Sequence, residues 1–176
     1  MNPAFFVRYS NLGKQSRRAK VTRMADPESG GRAFPSVTHC LNMSYILAIG
    51  GRDAARDSAT ANQNLSTVEC YDVKRDSWST EFPLLTEARS NHSSCALADF
   101  VYSFCGYSTL EKKNLSSIER INARDAILAP SLISQLKWHV LSLQPSAADS
   151  GIEACCNPMV APVGQDELLV LGGDNF

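Results

Sequence analysis

Several things are scarce in this sequence, and each absence excludes something. Net charge comes first: 17 Lys and Arg stand against 18 Asp and Glu in 176 residues, a formal charge of −1. Such a chain has no overall field with which to grip nucleic acid or an anionic membrane surface. Long hydrophobic runs are also missing, since no stretch approaches the roughly 18 consecutive apolar residues that cross a bilayer. With 44% apolar and 20% charged residues, the composition is still that of a folded chain. A 3.6-residue apolar period is absent almost throughout. The one piece that could be helical is 123–136, and Pro130 interrupts it.

Chemistry-bearing motifs are equally sparse. The six cysteines, Cys40, Cys70, Cys95, Cys105, Cys155 and Cys156, form no C-x-x-C pair. They are expected to be buried, reduced thiols that act as small hydrophobes. His39 and Cys40 are adjacent, but side chains alternate across a strand, so they do not make a zinc site. No metal and no cofactor is expected. There is no Gly-x-Ser-x-Gly elbow and no Gly-rich phosphate loop after a strand. Asp166 and Glu167 fall in a predicted hairpin turn, where solubility accounts for them. The sequence therefore predicts a non-enzyme.

Four Asn-x-Ser triplets, at Asn42, Asn64, Asn91 and Asn114, would matter only in a secreted chain, and no signal peptide precedes them. Arg8, Lys14, Arg17, Arg18, Lys20 and Arg23 all come before the first acid, Asp26. That opening is like a mitochondrial transit segment. A cytoplasmic location is the main expectation and a mitochondrial one the alternative.

What the sequence does have is an internal repeat. Asn64-Leu65-Ser66-Thr67-Val68-Glu69 returns fifty residues later as Asn114-Leu115-Ser116-Ser117-Ile118-Glu119. An apolar run ending in glycine precedes each copy: 45–49 before Gly50-Gly51, and 100–105 before Gly106. A third run, 168–171, ends in Gly172-Gly173. The cysteines keep step as well, with Cys40 and Cys95 each eleven residues before a glycine, and Cys95 and Cys155 each seventeen after Trp78 and Trp138. Each unit reads as four short strands: 37–41 or 93–98, then the apolar run, then 67–73 or 117–122, then the segment carrying Trp78 or Trp138. The second strands are apolar on both parities, so both faces of the sheet must be covered.

These residues resemble the kelch repeat, in which a double glycine after the second strand is followed by a Tyr and, about seven positions on, a Trp. Gly50-Gly51, Tyr71 and Trp78 match in that order, with Arg89 and His92 beyond them. The second unit has Gly106 and Trp138 but places Cys105 and Ile121 at the first glycine and the tyrosine. The resemblance implies an all-β fold, a partial kelch β-propeller of four-stranded antiparallel blades, two complete and the flanking ones incomplete. The expected divisions are 1–31, a basic segment or the remnant of a preceding blade; 32–88, repeat 1; 89–153, repeat 2 with an insertion at 123–136; and 154–176, the truncated start of repeat 3. Phe6-Val7-Arg8-Tyr9 echoes a third strand and 20–24 a fourth.

Glycine at the strand end lets an aromatic ring sit against the backbone. Tyr71 and Trp78 are expected to offer their rings to the next blade. The resemblance assigns a structural role to Gly50, Gly51, Tyr71, Trp78, Arg89, Gly106, Trp138, Gly172 and Gly173. Arg89 and Glu69 are expected to be paired within or between blades. Function is expected to be protein–protein interaction through the loops after the second and fourth strands: 52–63, 107–113, 81–89 and 144–153. The candidate contact residues are Arg52, Asp53, Arg56, Asp57, Tyr107, Glu111, Lys112 and Lys113. The partner is expected to be a protein, not nucleic acid or membrane, with self-association through exposed blade faces a further expectation. Recruitment of ubiquitin-ligase substrates and actin-linked scaffolding are what the resemblance implies at a finer level. A galactose-oxidase-like propeller enzyme and an inactive fragment are the alternatives.

Overall fold

A computed structural model describes residues 5–9, 19–23, 32–54, 62–141 and 153–175. Two four-stranded antiparallel sheets form the centre. The first contains β4 (Ser36–Cys40), β5 (Tyr45–Ile49), β7 (Val68–Asp72) and β8 (Ser77–Ser79), in that order. The second contains β9 (Ser93–Leu97), β10 (Phe100–Phe104), β13 (Ile118–Asn122) and β14 (His139–Leu141), again in chain order. The expected strands are thus found to within a residue or so at their ends. The other described strands form two-stranded pieces: β1 (Phe5–Tyr9) with β2 (Ala19–Arg23), β3 (Arg32–Ala33) with β6 (Arg52–Asp53), β11 (Tyr107–Ser108) with β12 (Lys113–Asn114), and β15 (Met159–Val163) with β16 (Glu167–Leu171). Among the described residues no helix is long and apolar enough to cross a membrane.

The two sheets share one plan. Tyr71 pairs with Trp78. In the second sheet Arg120 pairs with His139, which brings Ile121 opposite Trp138, so the late tryptophan occupies the same rung as Trp78. The ten additional residues between Ile121 and Trp138 fold as α1 (Ala123–Leu128) and a 3₁₀ turn at Pro130–Leu132. Asn122 caps α1, its side chain accepting from the Asp125 amide, and the helix stops before Pro130 as the missing N–H requires.

The cysteine markers do not mark equivalent places. A four-residue turn, 41–44, joins β4 to β5, but only Ala98 and Asp99 join β9 to β10. Cys40 therefore pairs with Tyr45, whereas Cys95 pairs with Tyr102, further from the turn. Cys155 is not the counterpart of Cys95 either. Its carbonyl receives the Gly106 amide at 2.8 Å, just as the Arg89 carbonyl receives that of Gly51 at 2.8 Å. Cys155 thus stands where Arg89 stands one unit earlier.

The sheets pack face to face. Leu47, Ile49, Val68 and Cys70 of the first meet Val101 and Ile121 of the second, Ala123 and Ala126 of α1, and Trp138 just before β14 in one buried cluster. Each large apolar side chain removed from water there contributes about 1.5–3 kcal/mol. The far face of the second sheet, with Cys95, Phe104 and Ile118, is covered by Val160, Leu168 and Val170 of the β15–β16 hairpin. Strand alternation settles where the aromatic pair points. Cys70 faces the second sheet, so Tyr71 beside it faces away. The Tyr71 and Trp78 rings, 5.0 Å apart, lie on the side away from the second unit. Their counterparts Ile121 and Trp138 face back to the first. The ring pair thus serves the preceding side of its blade, not the next one, because two-residue alternation divides a strand into faces without saying which neighbour each face meets.

Candidate functional site

The loops are positioned by a buried polar frame that repeats once per unit. Arg32 donates from Nη1 to the Gly50 carbonyl at 2.8 Å and the Thr67 carbonyl at 3.1 Å, and from Nη2 to Glu69 Oε1 at 2.7 Å. Arg89 does the same one unit later: Nη1 to the Cys105 carbonyl at 2.7 Å and the Ser117 carbonyl at 3.1 Å, Nη2 to Glu119 Oε1 at 2.6 Å. Burying a charge is tolerated when partners offset its desolvation, and the fork geometry of arginine supplies several donors at once. Arg89 bonds through all three nitrogens, whereas Arg32 bonds through Nη1 and Nη2 and leaves its buried Nε without a partner. The expected pairing of Arg89 and Glu69 is thus realised with different partners, each side chain holding the complementary residue of its own unit.

Glycine makes room for this frame. A Cβ on Gly51 would lie 2.7 Å from the Ala33 carbonyl oxygen, and one on Gly106 would lie 2.7 Å from the Ser90 carbonyl oxygen. Both residues also have positive φ, +101° and +99°. Their amides tie each unit to the next segment through the Arg89 and Cys155 carbonyls. His92 is wedged between these turns, following Asn91 as Pro35 follows Phe34 and Pro158 follows Asn157. Phe34, Asn91 and Asn157 share φ values of 54°, 53° and 52°. Burial, with help from the Arg89 charge, pushes the His92 pKa down to about 3. Burial likewise raises the thiols of Cys40 and Cys95 to about 11 and those of Cys70 and Cys105 to about 12. All six cysteines are buried and free, and so pack as small apolar groups.

On the rim beside the glycines a groove of about 550 Å³ opens between the units. Its walls come from three loops: Gln63 and Asn64; Thr86, Glu87 and Ala88; and Ser108, Thr109, Leu110 and Glu111. Reciprocal bonds close one end, the Asn64 amide donating to Thr109 Oγ1 at 3.0 Å and the Thr109 amide to Asn64 Oδ1. The middle wall hangs on the buried frame, because Glu119 accepts the Thr86 amide at 2.6 Å and the Glu87 amide at 3.1 Å. The opposite rim carries a second groove of about 700 Å³, lined by Leu41, Tyr45, Lys74, Arg75, Arg124 and Leu128 among others.

Residues 44–81, from the β4–β5 turn through β8, match the family model of the kelch motif. The chain carries a kelch repeat. The two sheets, each a four-stranded meander packed on its neighbour, are blades of an all-β, partial kelch propeller. No curated protein matched the chain closely enough to be counted a relative.

The kelch register explains where the candidate contact residues went. Arg52 and Tyr107 occupy the same position in successive units, and the fold brings them together: the Arg52 guanidinium lies 5.7 Å from the centre of the Tyr107 ring. Arg52 also donates to Ser90 Oγ at 3.3 Å. Asp53 is buried beside β3 and its backbone bonds to Gln63 and Asn62, so it shapes the loop from within. Arg56 and Asp57 lie outside the described residues, as does most of 144–153. Glu111, Lys112 and Lys113 are exposed around the β11–β12 turn. Glu111 lines the groove and holds Lys113 at 2.5 Å, a contact that raises the lysine's pKa.

Of the residues given a structural role, Gly50, Gly51, Gly106, Arg89 and Trp138 are at the joint between units. Gly172 and Gly173 follow β16, where Cys155 packs against Gly173. Arg32, Asn64, Glu87, Thr109 and Glu119 were not among the site residues expected from sequence. Glu119 closes the repeated Asn-Leu-Ser-x-x-Glu run and Asn64 opens it, so the repeat itself held the signal for both.

Proposed function

We propose that this chain is a protein-interaction module that binds a segment of a partner protein in the groove between its two blades. A kelch motif marks an interaction module in general. The observation that supports this particular groove is the convergence of three loops from two successive units on one cleft, each anchored to the buried frame or to its neighbour. Exposed polar side chains on a rigid scaffold are the usual means of peptide recognition. Recruitment of ubiquitin-ligase substrates or attachment to the cytoskeleton would be the biological use of such binding. Selection of peptides on the full chain from a random display library, followed by amide chemical-shift mapping, tests the reading. Selected peptides should shift Thr86, Ser108 and Thr109. Failure to select any peptide, or shifts confined to Lys74, Asp99 and Arg124 on the opposite rim, would refute it.

A further inference from the structure

The charged side chains lining the groove, among the described residues, are both acidic: Glu87 and Glu111. Their compensation is incomplete. The single guanidinium of Arg89 faces two carboxylates, Glu119 at 2.6 Å and Glu87 at 3.5 Å. Glu119 and Arg89 are fully buried and neutralise each other, while Glu87 remains 29% exposed. Ser117 Oγ donates to Glu87 Oε2 at 3.0 Å, which fixes the carboxylate but adds no charge. Counting Lys113, which also acts on Glu87, two cations (Arg89 and Lys113) face three carboxylates (Glu119, Glu87 and Glu111), so one negative charge is left over at the groove wall. In the first unit the corresponding Arg32 has Glu69 as its partner, and the position two before Arg32 is Gly30 rather than an acid. Among the described residues, Arg32 thus meets one carboxylate and Arg89 two, the second of which borders the groove. Glu111 at the mouth is shared with exposed Lys113, a surface pair that an incoming cation can replace at little cost.

We propose that the groove takes a partner segment bearing a lysine or arginine, its cation seated against Glu87 and its flanking residues passing Glu111 and Leu110. This rests on the interaction reading above and specifies the chemistry of the partner. A fixed, partly desolvated carboxylate favours a cation far more than an exposed one does.

The test is fluorescence anisotropy on peptides selected against the full chain. The selected peptides should share a Lys or Arg at one position, and replacing it with norleucine should weaken binding about ten-fold. Glu87→Gln should cause a similar loss with the basic peptide and almost none with the norleucine one. Ala88→Lys, which puts a competing cation in the groove and keeps Glu87, Arg89 and Glu119, should also weaken the basic peptide and so covers the case in which Glu87→Gln does not fold. Neutral or acidic peptides that map to Thr86 and Thr109 would overturn the cationic proposal and leave the interaction reading standing. The same holds for basic peptides indifferent to both variants. Absence of any groove-binding peptide would remove both.

Discussion

Arg89 and Glu119 meet at 2.6 Å with neither side chain exposed, and Arg32 and Glu69 make the same contact at 2.7 Å one unit earlier. The Arg89 pair carries more of the structure, because Glu119 also accepts the Thr86 and Glu87 amides that form the groove wall. Removing one member of a buried pair strands the other charge. Glu119→Ala should therefore lower the unfolding free energy by about 3 kcal/mol or more. Glu69→Ala, whose pair keeps some solvent contact, should cost less. Urea denaturation of the two variants compares them directly. Equal losses would show that the Glu119 contacts to the loop contribute nothing.

The two tryptophans should behave differently although they occupy the same rung. Trp138 is 3% exposed and donates from Nε1 to the Pro83 carbonyl at 3.0 Å across the joint between units. Trp78 is half-buried on the outer side of the first sheet. Trp138→Ala should destabilise by about 3–5 kcal/mol and Trp138→Phe by about 1 kcal/mol. Trp78→Ala should cost much less. Thermal melts measure the losses, and the Trp138 emission should be the bluer of the two.

His92 makes stability depend on pH in one direction. Its folded pKa, about 3, lies below the ordinary value of 6.5, so the folded chain holds the ring neutral. The unfolded chain takes up a proton as pH falls below 6.5 and the folded chain does not. The resulting stability is present above pH 6.5 and lost progressively as the pH falls towards 3, by a few kcal/mol at most. His92→Pro, which copies Pro35 and Pro158 of the neighbouring units, should flatten that slope. Chemical denaturation at neutral and progressively more acidic pH reads the effect, and an unchanged slope in His92→Pro would place the proton elsewhere.

Much of this was legible in the sequence. The Gly-Gly ends, the repeated Asn-Leu-Ser run and the apolar second strands located the two sheets, because strand burial on both faces leaves a pattern that survives substitutions such as Cys105 and Ile121 for glycine and tyrosine. That the loops lining the groove share one rim was also legible, since connections after alternate strands of a meander emerge on the same side. The cysteine register was misleading: a turn shortened by two residues moved Cys95 onto a different rung from Cys40. That shortening also hid Arg32, which lies nineteen residues before Gly51 while Arg89 lies seventeen before Gly106. The excess charge on Glu87 depends on Arg89, two residues on, being neutralised by Glu119 from a distant strand, and so has no local signature.

The central claim is that each blade is locked to the segment that follows it by a backbone bond at its glycine end, the Gly51 bond joining the two blades. Native-state hydrogen exchange tests it most directly, read at the Gly51 and Gly106 amides. Each donates at 2.8 Å to the following segment, to the Arg89 and Cys155 carbonyls. Both amides should exchange only by global unfolding, as slowly as the Leu47 and Val101 amides in the sheet centres. Exchange of the Gly51 amide at the rate of an exposed loop, with Leu47 and Val101 still protected, would show sheets that form but do not join, and the groove between them would not exist.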